Sequence, residues 1–157
     1  MFKRIVRYLF TMEEINFYFR KKDYGWLSNF ERAPQLIGGI AYPTNEHFYQ
    51  SMKAKDLEVS IWISEAMNPF LAMKAGRSLR KGKELIDNWD KLKVQIMREG
   101  LISKFSQNEE LRNKLLATGD VILHEDSPSD MFWGKKGKDM LGKLLMQVRK
   151  ELRNEID

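Results

Sequence analysis

Apolar positions recur along this chain with two different periods, and the period marks the elements. Residues 15–19, INFYF, gather aromatic and β-branched types into a run of strand length. Residues 36–42, LIGGIAY, place two short apolar arms around Gly38 and Gly39, a favoured two-residue hairpin turn. Pro43 ends the second arm, and Thr44 is a residue type that caps a helix. From Asn45 the period becomes helical, with Phe48, Met52 and Tyr49 as its apolar positions. Residues 58–67 predict a second helix, with Val59, Ile63 and Ala66 on one face and a stop at Asn68-Pro69. Pro69 suits the first position of a third, running to about Leu79.

The longest helical pattern covers residues 89–105, with Leu92, Ile96, Met97, Leu101 and Phe105 expected inward. Residues 108–117 predict another helix, capped by Asn108 and closed by Thr118-Gly119. Residues 121–125, VILHE, predict a strand. A glycine- and lysine-rich loop at 134–138 then leads into a final helix over 140–154, whose core face is Leu141, Leu144, Leu145, Val148 and Leu152. Helices outnumber strands, with no repeat and no strict βαβ alternation. The pattern therefore predicts an α+β fold: one predominantly helical domain around a small antiparallel β-sheet.

Composition narrows this picture. A chain of 157 residues, 43% hydrophobic with four tryptophans, is large enough for one continuous core. The absence of cysteine excludes a disulfide framework, a thiolate metal site and a cysteine nucleophile, and it fits a reducing, cytoplasmic setting. With only His47 and His124 as histidines, no metal centre is expected. No apolar run reaches the length of a membrane span, so no membrane partner is expected. Residues 1–13, which open MFKRIVRYLF, are basic and apolar without a cleavage site. They are expected to be an extension ahead of a domain over 14–157. The net charge of +5 permits a polyanionic partner, although acids are interleaved with the lysines and arginines.

Candidate chemistry falls in four segments. In YPTNEHFYQSMKAK, residues 42–55, Glu46, Gln50 and Lys53 share one helical stripe, with His47 and Ser51 on a neighbouring one. Such a stripe is either the solvent face of an ordinary helix or the polar wall of a site. In the first turn, the helix dipole is expected to hold Glu46 ionised. A lysine beside it is either an ion-pair partner or, with a lowered pKa, an amine nucleophile. YGWLSNF, residues 24–30, keeps large apolar groups in a loop, and the Asn29 amide can both donate and accept, as recognition of a base or ribose requires. The alternative is a loop that plugs the core.

HEDSPSDMFWGKKGKDMLG, residues 124–142, sets Glu125, Asp126 and Asp130 beside Phe132 and Trp133 and ahead of Gly134. Aromatic rings there can stack a base, and glycines before a helix can bring N–H groups to a phosphate. The segment matches no standard phosphate-loop pattern, so a solvated lysine-rich turn is the competing reading. Finally, Trp89 opens a helix as either a core anchor or a stacking surface, while Arg77 and Arg80 can clamp a diphosphate or simply decorate a helix end.

In order and spacing, YGWLSNF, YPTNEHFYQSMK, AGRSLRKG, NWDKLKVQIMREGLISKFSQN, LLATGDVILHEDSPSDMFWG and GKDMLGKLLMQVR resemble the NADAR family of YbiA-like N-glycosidases. The resemblance runs from about Ile15 to Arg149. It implies a YbiA-like α+β fold and hydrolysis of the bond between a ribose C1 and a nitrogen, without metal or cofactor. The implied substrates are the phosphoribosylamino-pyrimidine intermediates of riboflavin biosynthesis, a small-molecule ribosylated nucleotide, or ADP-ribosylated guanine in nucleic acid. By position, it makes Glu46 the leading catalytic carboxylate, Lys53 a candidate amine and Asp130 a second acid/base. Asn29, Phe30, His47, Gln50, Arg77, Trp89, Trp133 and Gly134 are the implied binding residues. The chain departs from the family pattern in KKGK after Trp133-Gly134 and in Asp139, where an asparagine is usual. The competing expectation is a non-catalytic module that binds NAD or ADP-ribose.

Overall fold

The computed structural model describes residues 13–156. The expected extension over 1–13 lies outside the described residues except for Glu13. Strand β1 (Glu14–Phe17) leads through a single 3-10 turn (Gly25–Leu27) to a hairpin, β2 (Gln35–Ile37) and β3 (Ile40–Tyr42). Helices α1 (Asn45–Ser51), α2 (Leu57–Ser64), α3 (Pro69–Ser78), α4 (Trp89–Gln107) and α5 (Glu109–Ala117) follow. Strand β4 (Ile122–Glu125) and helix α6 (Met140–Asn154) complete the chain.

The α+β class and the helical majority agree with the pattern, and the sheet differs in one respect. The hairpin pairs antiparallel as expected, with Gly38 and Gly39 both at positive φ (59° and 80°), the conformation such a turn needs. β1 and β4, however, form a separate parallel pair, with Ile15 opposite Leu123 and Phe17 opposite Glu125. Parallel strands need a long crossover, and here all five preceding helices supply it. No local signal announces a pairing between segments so far apart.

Helix boundaries follow side-chain chemistry. Thr44 caps α1, Asp56 caps α2, and Asn68 caps α3 with Pro69 in its first turn. Asn108 does not cap α5. Its amide donates to the Lys104 carbonyl at 2.8 Å and the Pro34 carbonyl at 3.3 Å, closing the end of α4 instead. β1 stops at Phe17, where pairing with β4 ends, and leaves Phe19 exposed. Leu92 is also exposed, because the stripe through Met97 and Leu101 passes through Lys93 one turn earlier.

The core is continuous. Phe17, Leu27, Phe48, Leu101, Phe105, Leu115, Leu123, Leu141, Leu145 and Val148 are all buried. Each such side chain contributes about 1.5–3 kcal/mol on burial. α4 lies across the molecule, packed on α1, α5 and α6, while α1 is also enclosed by α2 and α3. That enclosure gives α1 its character: all seven residues of NEHFYQS are buried.

Candidate active site

A helix buried on every side has no solvent face, so the polar residues of α1 must be satisfied inside the protein. His47 is satisfied entirely by protein groups. The Thr44 hydroxyl accepts from the His47 backbone N–H at 3.2 Å and donates to Nδ1 at 2.8 Å, while Nε2 donates to the Ala66 carbonyl at 2.9 Å. Both ring nitrogens of His47 are thus engaged by protein groups. Burial also lowers its pKa, which keeps the ring neutral.

Asn45 and Asn29 form a second internal network. Asn45 Nδ2 donates to Asn29 Oδ1 at 2.9 Å, and Gln35 Nε2 donates to Asn45 Oδ1 at 3.1 Å. The Asn29 carbonyl accepts from the Glu46 N–H at 3.0 Å. Asn29 thus fixes the first turn of α1 with its backbone and side chain together. Phe30 is half-buried and donates its N–H to Ser28 Oγ at 3.2 Å, and none of its hydrogen bonds reaches the carboxyl groups.

Glu46 is the charged centre of the helix. Gln50 Nε2 donates to its Oε1 at 2.6 Å. Burial pushes its carboxyl above the ordinary range, while the Gln50 hydrogen bond and the charges of Lys53 and Arg77 pull it back and Asp130 pushes it further up. The outcome opposes the expectation from the helix dipole, because desolvation in full burial outweighs a first-turn dipole.

Lys53 lies just past the end of α1, with its ammonium 5.3 Å from the Tyr49 ring centroid and 5.5 Å from that of Trp89. Burial lowers its amine to about 8, with the nearby Glu46 carboxylate opposing that shift. Arg77 approaches from the last turn of α3, exposed and close enough to act on both Glu46 and Lys53. Gln50 is pressed against Gly76 of the same helix. A Cβ there would stand 2.0 Å from Gln50 Oε1, so only glycine lets α3 bring Arg77 so close.

The loop after β4 supplies the opposite wall. Asp130 Oδ1 accepts the N–H groups of Phe132 and Trp133 at 2.9 and 2.8 Å, and its own N–H donates to Ser127 Oγ at 3.0 Å. These bonds hold the carboxyl in place, and its second oxygen has no hydrogen bond among the described residues. Trp133 meets Tyr49 edge-on at 5.7 Å, and Tyr49 in turn lies 5.1 Å from Trp89. Lys93 sits 4.0 Å over the Phe132 ring.

Gly134 sits in a closely bonded turn. Its N–H donates to the Asp130 carbonyl at 3.1 Å, and the Phe132 and Trp133 carbonyls accept the first N–H groups of α6. The N–H groups of Gly134, Lys135, Gly137, Lys138 and Asp139 all donate to protein carbonyls. Gly134 permits this tight turn, for a Cβ would lie 2.4 Å from the Asp130 carbonyl oxygen.

The structure thus brings Glu46, Gln50, Lys53, Arg77, Trp89, Asp130 and Trp133 together, and keeps His47 and Gly134 for internal bonding. Sequence reasoning left two groups out of the site. Tyr49 was assigned to the apolar stripe, yet its ring bridges Trp89 and Trp133. Glu125, at the end of β4, lies within electrostatic reach of Glu46 and Asp130. Its signal was available, since it follows the fully buried Leu123 by two positions and so shares its face of the strand. A separate groove of about 560 Å³, lined in part by Tyr24, Trp26 and Lys114, contains none of these groups. Among the described residues no cluster of histidine and carboxylate groups suits a metal ion.

Comparison with known proteins adds a consistent result. The NADAR domain family matches residues 16–153. The chain is 41% identical over 142 residues to N-glycosidase YbiA of Escherichia coli (strain K12), covering 88% of each protein. It is 34% identical over 144 residues to the riboflavin biosynthesis protein VVA0006 of Vibrio vulnificus, covering 89% of this chain and 39% of that longer one. The NMR structure of the E. coli protein YbiA superposes with a TM-score of 0.83 at 40% identity, covering 92% of this chain and 87% of the other.

Proposed function

The chain belongs to the NADAR domain family, and we propose that it is an N-glycosidase cleaving the bond between a ribose C1 and a base or amine nitrogen. The observation that carries this reading is the buried Glu46 carboxyl, bonded by Gln50 and flanked by Lys53, Arg77 and Asp130. Hydrolysis breaks the C1–N bond and forms a C1–O bond to water. One water proton goes to a carboxylate, and the departing nitrogen takes a proton from an acid.

Glu46 fills the first role. Its negative charge stabilises the cationic ribose that forms as the bond stretches, and it then accepts the proton from water. Asp130, with one oxygen fixed by two N–H groups and the other unbonded among the described residues, is the second acid/base. Trp89 and Trp133 supply apolar rings for the base, and the exposed Arg77 offers a guanidinium to a substrate phosphate.

The substrate class is a ribosylated nitrogen heterocycle or amine. The likeness to a riboflavin biosynthesis protein supports a phosphoribosylamino-pyrimidine. ADP-ribosylated guanine in nucleic acid is the second substrate to test, because Lys135, Lys136 and Lys138 give the loop beside Trp133 a basic exposed rim. We place the catalytic domain at 14–157 and its activity in the cytoplasm, the reducing setting that the cysteine-free sequence fits. No helix among the described residues is long and apolar enough to cross a membrane.

The test is to incubate the protein separately with a phosphoribosylamino-pyrimidine intermediate and with DNA carrying ADP-ribosylated guanine, and to follow ribose release by mass spectrometry. Release from either substrate supports the reading. Calorimetric binding of ADP-ribose with no release from any substrate would replace it with the non-catalytic module.

A further inference from the structure

The outward faces of α2 and α3 carry apolar side chains that the core does not use. α3 lies so close over α1 that its inward positions are the small Ala72 and Gly76, with Gly76 against Gln50. Phe70 and Leu71 are therefore turned to the surface. α2 buries Ile63 and leaves Leu57, Ile61 and Trp62 exposed, with Trp62 at 64%. Met67, in the turn between the helices, is 90% exposed, although the bond from His47 to the Ala66 carbonyl ties that turn to α1. The two helices touch each other and both pack on α1, so their outward faces adjoin. Apolar groups this concentrated are rare on the surface of a protein that stays monomeric.

Charge on this side is divided between the helices. Residues 56–65, α2 with its two caps, hold Asp56, Glu58 and Glu65 and no base. α3 holds Lys74 and Arg77 and no acid. The flanking charges pair locally, Lys55 with Asp87 at 3.0 Å and Arg80 with Glu84 at 2.6 Å. Asp56 is occupied as a cap, accepting the Glu58 and Val59 N–H groups. Glu58, Glu65 and Lys74 are exposed and make no ion pair among the described residues. The Lys74 ammonium lies 5.6 Å from the Phe70 ring centroid, which sets that charge beside the apolar groups.

We propose that this face is the contact between two copies of the chain, related by a twofold axis. An axis running between the two helices lays the acidic α2 of one copy against the basic α3 of the other. The same rotation makes that match a second time. The apolar side chains then meet in the middle, and Glu58 and Glu65 face Lys74 of the second copy. Any other partner must supply an apolar centre between an acidic and a basic edge, whereas a second copy carries one by construction. The acids of α2 also oppose contact with an anionic lipid surface. Arg77, in the last turn of α3, belongs to the wall of the site and is left out of the pairing. The contact is independent of the reaction proposed above.

The experiment is sedimentation velocity on the full chain over a wide dilution series, with circular dichroism to check each fold. The wild type is expected to pass from dimer to monomer on dilution. Trp62→Glu changes only an exposed position and should raise the dimer Kd by at least about tenfold. Glu58→Lys with Glu65→Lys makes both helices basic and should also weaken the dimer, and adding Lys74→Glu should recover part of the loss. A wild type that stays monomeric at the highest concentration would overturn the proposal, and its capture by anionic lipid vesicles would give the face to a membrane instead. A dimer of unchanged Kd in folded Trp62→Glu would place the contact elsewhere and overturn it too. A triple charge variant no tighter than the double one would rule out the twofold match of α2 with α3.

Discussion

Gln50 donates its amide to Glu46 at 2.6 Å inside a helix with no exposed residue. That pair turns a polar stripe of ordinary appearance into a charged centre. The Glu46 carboxyl is raised by burial and lowered by its hydrogen bond and two cations, so each neighbour can be tested through its effect on Glu46.

Glu46→Gln removes the charge and keeps the shape. The variant is expected to fold with unchanged or higher thermal stability, because a buried carboxylate is relieved of its desolvation cost. Ribose release should fall by about 10²-fold or more, the usual contribution of a positioned acid or base. Steady-state kinetics with a parallel thermal melt checks both parts. Near wild-type turnover from a folded variant would remove Glu46 from the mechanism.

Gln50→Leu deletes the donor that lowers the Glu46 pKa. With that bond gone, Glu46 ionises at higher pH than in the wild type. The limb of the pH–rate profile that reports its ionisation should therefore move to higher pH. A profile that keeps its position would show that the bond does not tune the carboxyl.

Lys53 is accessible to a direct chemical test. An amine that meets the opened form of the ribose, with an aldehyde at C1, forms an imine and releases water, and borohydride reduces that imine to a stable secondary amine. Because the amine is lowered to about 8, its reactive neutral fraction grows as pH rises through that value. The trapped adduct, weighed by mass spectrometry, should increase accordingly and be absent from Lys53→Ala. An adduct of equal yield on Lys53→Ala would assign the trapping to another lysine.

Gly76→Ala places a Cβ 2.0 Å from Gln50 Oε1 and 2.9 Å from its Cβ and Cδ. The Gln50 side chain is tethered to Glu46 and cannot simply swing away, so α3 must shift. A loss of about 1–3 kcal/mol in stability is expected, together with weaker catalysis. Urea unfolding and kinetics on the same preparation provide the check.

Lys104 is fully buried, with its amine donating to the Trp26 and Ser28 carbonyls at 2.8 and 2.9 Å. Burial lowers it from 10.5 to about 7, opposed by the Glu31 carboxylate. Below that folded value the amine is charged in both states, and the full burial cost weakens the fold. Between the folded value and 10.5 the unfolded chain binds the extra proton, so stability rises with pH across this window. Lys104→Met should flatten that rise and leave two carbonyls unpaired, at a cost of about 1–3 kcal/mol. Denaturant melts of both proteins at several pH values measure the difference.

Much of the architecture was legible without coordinates because it is local. Thr44, Asn68 with Pro69, and the Gly38-Gly39 turn act on their nearest neighbours, so the residue types identify the caps and the hairpin. The core face of α6 follows from its period alone. The spacing of Glu46, Gln50 and Lys53 put them on one stripe, but it left open whether that stripe faced water or protein. Enclosure of α1 by α2, α3 and α4 settled the question, and it reversed the expected direction of the Glu46 pKa. Desolvation depends on what surrounds a group in space, and a helical period carries no such information.

The same limit explains the other differences. The parallel pairing of β1 with β4 and the bond of His47 to the Ala66 carbonyl both join segments apart in the chain. Sequence determined which polar side chains share a helical stripe and which local caps and turns form. Tertiary packing alone decided which of them are buried together, and therefore which protons they hold.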